Sequence, residues 1–218
     1  MKIILSALAV ILCITACNNT KKNTVAANNA QIQSSDTDKT ETAYQIDTKK
    51  SSLAWEGAEG LLNIVKTHNG LLSISTGNLQ IKNDSLIGGS FTIPLKTLTV
   101  LDIPKEKPGN GKLVKHLLGD DFFDADKFPN ATFAITNVKT LSKDSSLITG
   151  NLTLKVIAKS ISFKAKVTLT DSTLHANAPK FYFNRKDWGM SYGTEKSLGD
   201  EIIRPEIGIT INLFAHKK

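Results

Sequence analysis

Between Lys159 and Thr170 the chain alternates with a period of two. Ile161, Phe163, Ala165, Val167 and Leu169 fall on one face, and Ser162, Lys164, Lys166 and Thr168 on the other. Successive side chains of a strand point to opposite faces, so this is the pattern of an antiparallel strand with one dry and one wet side. The same alternation sets Ile207, Ile209, Ile211 and Leu213 in one row, Ile148, Leu152 and Leu154 in another, and Ile87, Phe91, Ile93 and Leu95 in a third. Shorter runs, AYQID, SSLAWEG, GLLSIST, NLQIK, ATFAITNV and APKFYFNR, read as further strands. Turn pairs such as Asn83-Asp84, Lys143-Asp144 and Asp171-Ser172 separate several of them. Gly88-Gly89 inside a strand marks a bulge or a bend, and THNG, residues 67–70, reads as a turn carrying His68. Only GKLVKHLLG has helical spacing, with Leu113 and Leu117 four apart and Gly119 as a stop. The predicted fold is all-β, a closed antiparallel barrel with one short helix in a connection, because closure removes exposed strand edges.

The N-terminal residues follow a different pattern. MKIILSALAVILCITAC has one charge at Lys2, an apolar run from Ile3 to Ile14, and small residues Thr15 and Ala16 before Cys17. A spanning helix needs about 20 apolar residues, so this shorter run reads as a secretory signal over residues 1–16. Ile14-Thr15-Ala16-Cys17 resembles the bacterial lipobox, whose cysteine is acylated and becomes the new N-terminus. Cys17 is therefore the expected lipidation site; an ordinary signal peptide with a chance cysteine is the other reading. Residues 17–43 are polar and lack aromatic side chains. They are expected to form a flexible tether, since they bury too little apolar surface to offset ordering. The barrel domain then covers residues 44–218.

Charge and titratable residues narrow the function. The 218 residues carry 27 basic and 20 acidic side chains, a formal net charge of +7. The surplus is spread along strands, with no basic run interleaved with aromatics, which argues against nucleic acid and leaves an anionic membrane surface or ligand open. Both cysteines, Cys13 and Cys17, lie in the N-terminal segment, so the barrel region has no disulfide, thiolate metal site or cysteine nucleophile. His68, His116, His175 and His216 lack metal-ligand spacing. No nucleophile elbow, phosphate loop or dinucleotide fingerprint is present, so neither a metal, a cofactor nor a catalytic residue is expected. In KHLLGDDFFDADKFPNATF, residues 115–133, Asp120, Asp121, Asp124 and Asp126 hold turn-like, solvated positions, and Phe122, Phe123 and Phe128 are expected to plug the base of the fold. Arg185 continues the apolar face of Phe181 and Phe183. It must therefore leave the core or meet either a lipid head group or a carboxylate.

HLLGDDFFDADKFPNATF resembles the segment by which the YceI-like family is recognised: a helix end, an aspartate, paired phenylalanines, a Phe-Pro step and Ala-Thr-Phe opening a strand. Trp55, His68-Asn69-Gly70 and GNGKLVKHL precede it, and GNLTLKVIAKSISF, FYFNRKDWGMSYG, LGDEII and ITINLFA follow, all in the family's order from Tyr44 to Ala215. The resemblance implies a lipocalin-like antiparallel barrel whose apolar interior holds a polyisoprenoid, quinone or similar long-chain amphiphile, with no catalytic step. Phe91, Ile93, Phe133, Ile135, Ile161, Phe163, Ile209 and Ile211 would line that interior, with Arg185 and His68 toward the head group; a turn histidine bonded within its own loop is the other reading of His68. One departure stands out: Val156 and Ala158 replace a glycine and a threonine usual in the family, and the bulkier valine is expected to narrow the cavity or change the local turn. The chain is then an exported lipoprotein of the cell envelope. Asn18 rather than aspartate after the cysteine favours the outer membrane by analogy. Two other functions stay open: an enzyme acting on a lipid inside the barrel, which needs an inward-facing base, and a filled barrel serving as a structural or stress-associated envelope protein.

Overall fold

The computed structural model describes residues 22–32, 41–61, 64–143, 145–194 and 202–218. Its strands are β1 (Asn28–Asn29), β2 (Thr42–Ile46), β3 (Ser52–Leu61), β4 (Ile64–Leu72), β5 (Thr76–Lys82), β6 (Ser85–Pro94), β7 (Asn130–Ser142), β8 (Ser145–Leu154), β9 (Ile157–Leu169), β10 (Thr173–Asn184), β11 (Ile202–Ile203) and β12 (Glu206–Lys217), with helix α1 (Pro108–Leu118) between β6 and β7. From β5 to β10 each strand pairs with the next, and β12 then pairs β10 on one edge and both β2 and β3 on the other. β2 and β3 lie end to end along β12, and their partners β5 and β4 do the same in the next position. The wall is thus eight antiparallel strands closed on themselves, as the alternation implied.

The inward rows form one continuous core. Phe91, Ile93, Phe133, Ile135, Ile161, Phe163 and Ile211 are buried and Ile209 is half-buried against them. Ile87 departs from its expected row and is 37% exposed. The reason is a bulge next to Gly88-Gly89: Gln80 pairs with Gly88 and Ile81 with Leu86, which leaves Ile87 as the extra residue. One extra residue moves a side chain to the opposite face. Gly89 takes a φ of 140° there, with Asn78 O only 2.4 Å from where a Cβ would stand.

The long connection from β6 to β7 closes one end of the barrel. Its helix begins a turn earlier than the apolar spacing indicated, at Pro108, whose missing N–H costs nothing in the first turn. Asn110 is buried and donates to Val100 O and Ile103 O at 3.1 and 2.7 Å, fastening the helix to the preceding loop. Phe122 is buried and Phe123 packs against the core beside it, at the same end as Arg185, whereas Phe128 lies outside the core cluster.

Residues 22–32 differ from the expected tether. β9 and β10 share a ladder only over Lys166–Leu169 and Leu174–Asn177. Past a bulge between Ala178 and Phe181, β10 follows β12 and leaves a seam beside β9. The N-terminal segment lies in that seam. Val25 N–H donates to Tyr182 O at 2.7 Å, Tyr182 N–H donates to Asn23 O at 2.8 Å, and β1 pairs with Ser160 and Lys159 of β9. Val25 and Ala27 pack on the core, and Gln31 continues onto β8 through two bonds with Asn151. Apolar content alone argues for disorder here, but open backbone groups on two strand edges supply partners for a short polar segment. Cys17 and residues 33–40 lie outside the described residues.

Deleting residues 22–32 is expected to leave the barrel folded, lower its stability by about 1–3 kcal/mol, and expose the Tyr182 amide to rapid hydrogen exchange. An amide that stays protected would show that the segment contributes no wall.

Candidate ligand-binding cavity

An apolar cavity of about 150 Å³ occupies the half of the barrel beneath α1. Its lining draws on nearly the whole wall: Leu53 and Trp55 of β3, Leu72 of β4, Phe91 and Ile93 of β6, Phe133 of β7, Leu152 of β8, Ile161 and Phe163 of β9, Phe181 and Phe183 of β10, and Ile207, Ile209 and Ile211 of β12. Leu113 and Leu117 of α1 and Phe122 after it complete the end. An apolar void of this size stays dry and accepts a benzene-sized body, so a longer chain must spread the lining or extend through the end. The titratable groups in the lining are Glu59, His68, His116 and Arg185. Ile135 lies outside this lining and faces a separate, smaller space.

His68 sits within β4 opposite Gly57, not in a turn. The THNG stretch stays extended because Gly70 lets the backbone of the following loop come close: a Cβ on Gly70 would stand 1.7 Å from Thr99 O. Trp55 Nε1 donates to that same carbonyl at 3.0 Å. The imidazole is buried between two carboxylates, with Nδ1 2.7 Å from Asp102 and Nε2 3.3 Å from Glu59. Burial raises the Asp102 carboxyl, but the Asn69 N–H at 2.9 Å and His68 outweigh it and hold its pKa below the usual value. Glu59 is lowered in the same way, with desolvation overcome by Lys66 and His68.

Arg185 is 1% exposed. Among the described residues it is held by backbone carbonyls and by no carboxylate. Its guanidinium donates to Met190 O and Tyr192 O at 2.6 Å, to Ile203 O at 3.2 Å and to Arg204 O at 3.4 Å. Four of its five N–H donors therefore fasten the loop after β10 to β11 and the residue after it. Burial depresses its pKa from the ordinary arginine value. The guanidinium carbon lies 5.0 Å from the Phe122 ring centroid, and His116 meets the rings of Phe122 and Tyr192 edge-on at 5.0 Å each.

Residues 44–215 match the YceI-like domain. This chain belongs to the YceI-like family. It is 39% identical over 89 residues to a UPF0312 protein of Pseudomonas putida strain F1, covering 41% of this chain and 43% of that one. Over 53 residues it is 49% identical to a UPF0312 protein of Pseudomonas aeruginosa strain LESB58, covering 24% and 27%. These matches span less than half the length of either relative. The crystal structure of Burkholderia cenocepacia BcnA shares the fold, with a TM-score of 0.58 over 78% of this chain and 98% of that one at 18% identity.

Within this YceI-like barrel, Val156 does not narrow the cavity. It is 77% exposed in the β8–β9 turn, where Lys155 takes a φ of 53° that a glycine would adopt more easily. The aspartates after α1 lie outside the lining: Asp124 pairs with Lys127 at 3.0 Å, Asp126 with Lys96 at 2.7 Å, and Asp121 lies 3.4 Å from His116. Sequence reading missed Glu59, Asp102 and His116. His116 had a signal, since it shares a helix face with Leu113 and Leu117. Among the described residues no acidic, histidine or cysteine cluster could hold a metal ion.

Asp102→Asn is expected to cost about 1–3 kcal/mol at neutral pH by removing a charged acceptor from His68 and Asn69. Because the folded pKa of Asp102 is depressed, its contribution is complete above the unfolded value, about 3.9, and is lost as pH falls through the folded one. Urea unfolding at neutral and strongly acidic pH checks this. A penalty that does not shrink in acid contradicts the assignment.

Proposed function

We propose that this protein is an exported lipoprotein whose barrel binds a long-chain amphiphile, a polyisoprenoid, quinone or similar lipid. The observation that carries the reading is the division of the cavity: its wall is apolar on strand after strand, and its titratable groups gather at the end beneath α1. An apolar chain placed inside gains about 0.8 kcal/mol per buried methylene. The head group then lies near Glu59, His68, His116 and Arg185. His68 is engaged by carboxylates on both ring nitrogens and Arg185 by backbone carbonyls, which supports a role in shaping the end rather than in a catalytic step. Acylation at Cys17 would hold the barrel at an envelope membrane, the outer one being favoured by Asn18, and the net positive charge, +7 for the whole chain and one less once Lys2 is removed with the leader, suits an anionic lipid surface.

The volume of about 150 Å³ also favours a second reading, a filled barrel without ligand. Organic extraction of the purified protein followed by mass spectrometry separates them. The expected result is about one long-chain lipid per barrel, whereas an extract without lipid, from protein that takes none up in solution, leaves the filled barrel standing. For the anchor, Cys17→Ala is expected to abolish incorporation of labelled fatty acid and release the protein from the membrane fraction; unchanged labelling contradicts acylation at this cysteine. Several acyl chains together give stable attachment, where one gives only marginal binding.

A further inference from the structure

A second space of about 30 Å³ lies beyond the main cavity. Phe91, Phe133, Phe163 and Ile211 line both, so these side chains are the partition between the two. Their rings form a connected series. Phe91 and Phe133 have centroids 5.6 Å apart, as do Phe133 and Phe163, and Phe163 is stacked on Phe181 at 4.4 Å with planes 4° apart. These rings come from β6, β7, β9 and β10, while β8, between β7 and β9, presents Gly150. A Cβ on Gly150 would stand 2.4 Å from the Phe133 ring, so the missing side chain lets that ring lie across β8 toward Phe163. Past the rings the wall is small on β9 and β10, where Ala165 and Ala178 are buried and Ala176 is half-buried, while Leu79, Leu86, Ile135, Ile148 and Leu213 line the rest of that space. Interiors are normally close-packed, so the alanines of β9 and β10 behind the rings leave a small unfilled space beyond a floor.

We infer that the belt of Phe91, Phe133 and Phe163 is the floor of the ligand chamber and sets the longest chain the protein accepts. This rests on the reading of the barrel as a binder of chain-like lipids. Affinity rises with each added methylene while the tail descends the main cavity, by about fourfold per carbon. It stops rising when the terminal carbon meets the rings, because further descent has to break the stack that holds Phe163 against Phe181.

The test is displacement of a fluorescent fatty probe by straight-chain saturated alcohols of graded length, using delipidated protein. Wild-type affinity should climb with length to a break and then level off. In Phe163→Ala the break should move to longer chains, with alcohols just past the wild-type break tightening by about fourfold per added methylene. Phe163→Leu, a milder change to the core, should move it less in the same direction, and it decides the matter if the alanine variant does not fold. Adding Ala178→Leu to Phe163→Ala refills the far space and should return the break to its wild-type position. The same break in wild type and in the folded Phe163 variants overturns the floor. A wild type with no dependence on chain length overturns the lipid-binding reading itself.

Discussion

Strand β12 is hydrogen-bonded along both edges, to β10 on one side and to β2 and β3 on the other, and the rest of the molecule depends on that closure. An open sheet would leave rows of unpaired backbone groups and a face wet on both sides. Once closed, eight strands enclose a width that suits side chains or one slim ligand. Every inward position then has to be apolar or internally bonded, and variation in function is confined to the ends and to the size of the inward side chains. At the seam beside β9 the described ladder opens along the wall, and residues 22–32 occupy it.

The end beneath α1 carries the polar groups, yet among the described residues no buried side-chain nitrogen or oxygen lacks a partner. His68 is bracketed by Asp102 and Glu59, Arg185 spends four donors on carbonyls, and Trp188, fully buried, donates to Leu152 O at 3.0 Å. Under the proposed lipid-binding reading, a head group arriving here would find a network already satisfied. In the proposed reading most of the affinity then comes from the apolar chain, and the head group perturbs binding rather than driving it. The same logic gives the aromatic belt its importance, since the depth open to the chain then governs how much surface a ligand buries.

Much of the barrel could be read in the sequence because period-two alternation is a local signal: the rows containing Phe163, Leu152 and Ile211 needed only their own strands. What escaped depends on distant partners. Ile87 changed face because it is the extra residue of a bulge against β5, and the THNG stretch stayed extended because the loop around Thr99 presses on Gly70. Glu59, His68 and Asp102 meet from β3, β4 and the loop before α1, a meeting that no spacing encodes. Residues 22–32 were misjudged for a related reason, since their apolar content is low and their order derives from strand edges far along the chain.

The most direct measurement of the central claim uses Trp55, which lines the cavity, and removes the chain's other tryptophan with Trp188→Phe. Titrating that folded variant, delipidated, with a long-chain alcohol brominated along its chain reports whether the chain enters beside Trp55. Saturable quenching of Trp55 at about one alcohol per protein, relieved by the unbrominated alcohol, is the predicted result. Emission that stays unchanged, or that falls without saturating as free tryptophan does, would contradict a barrel that holds a lipid chain inside.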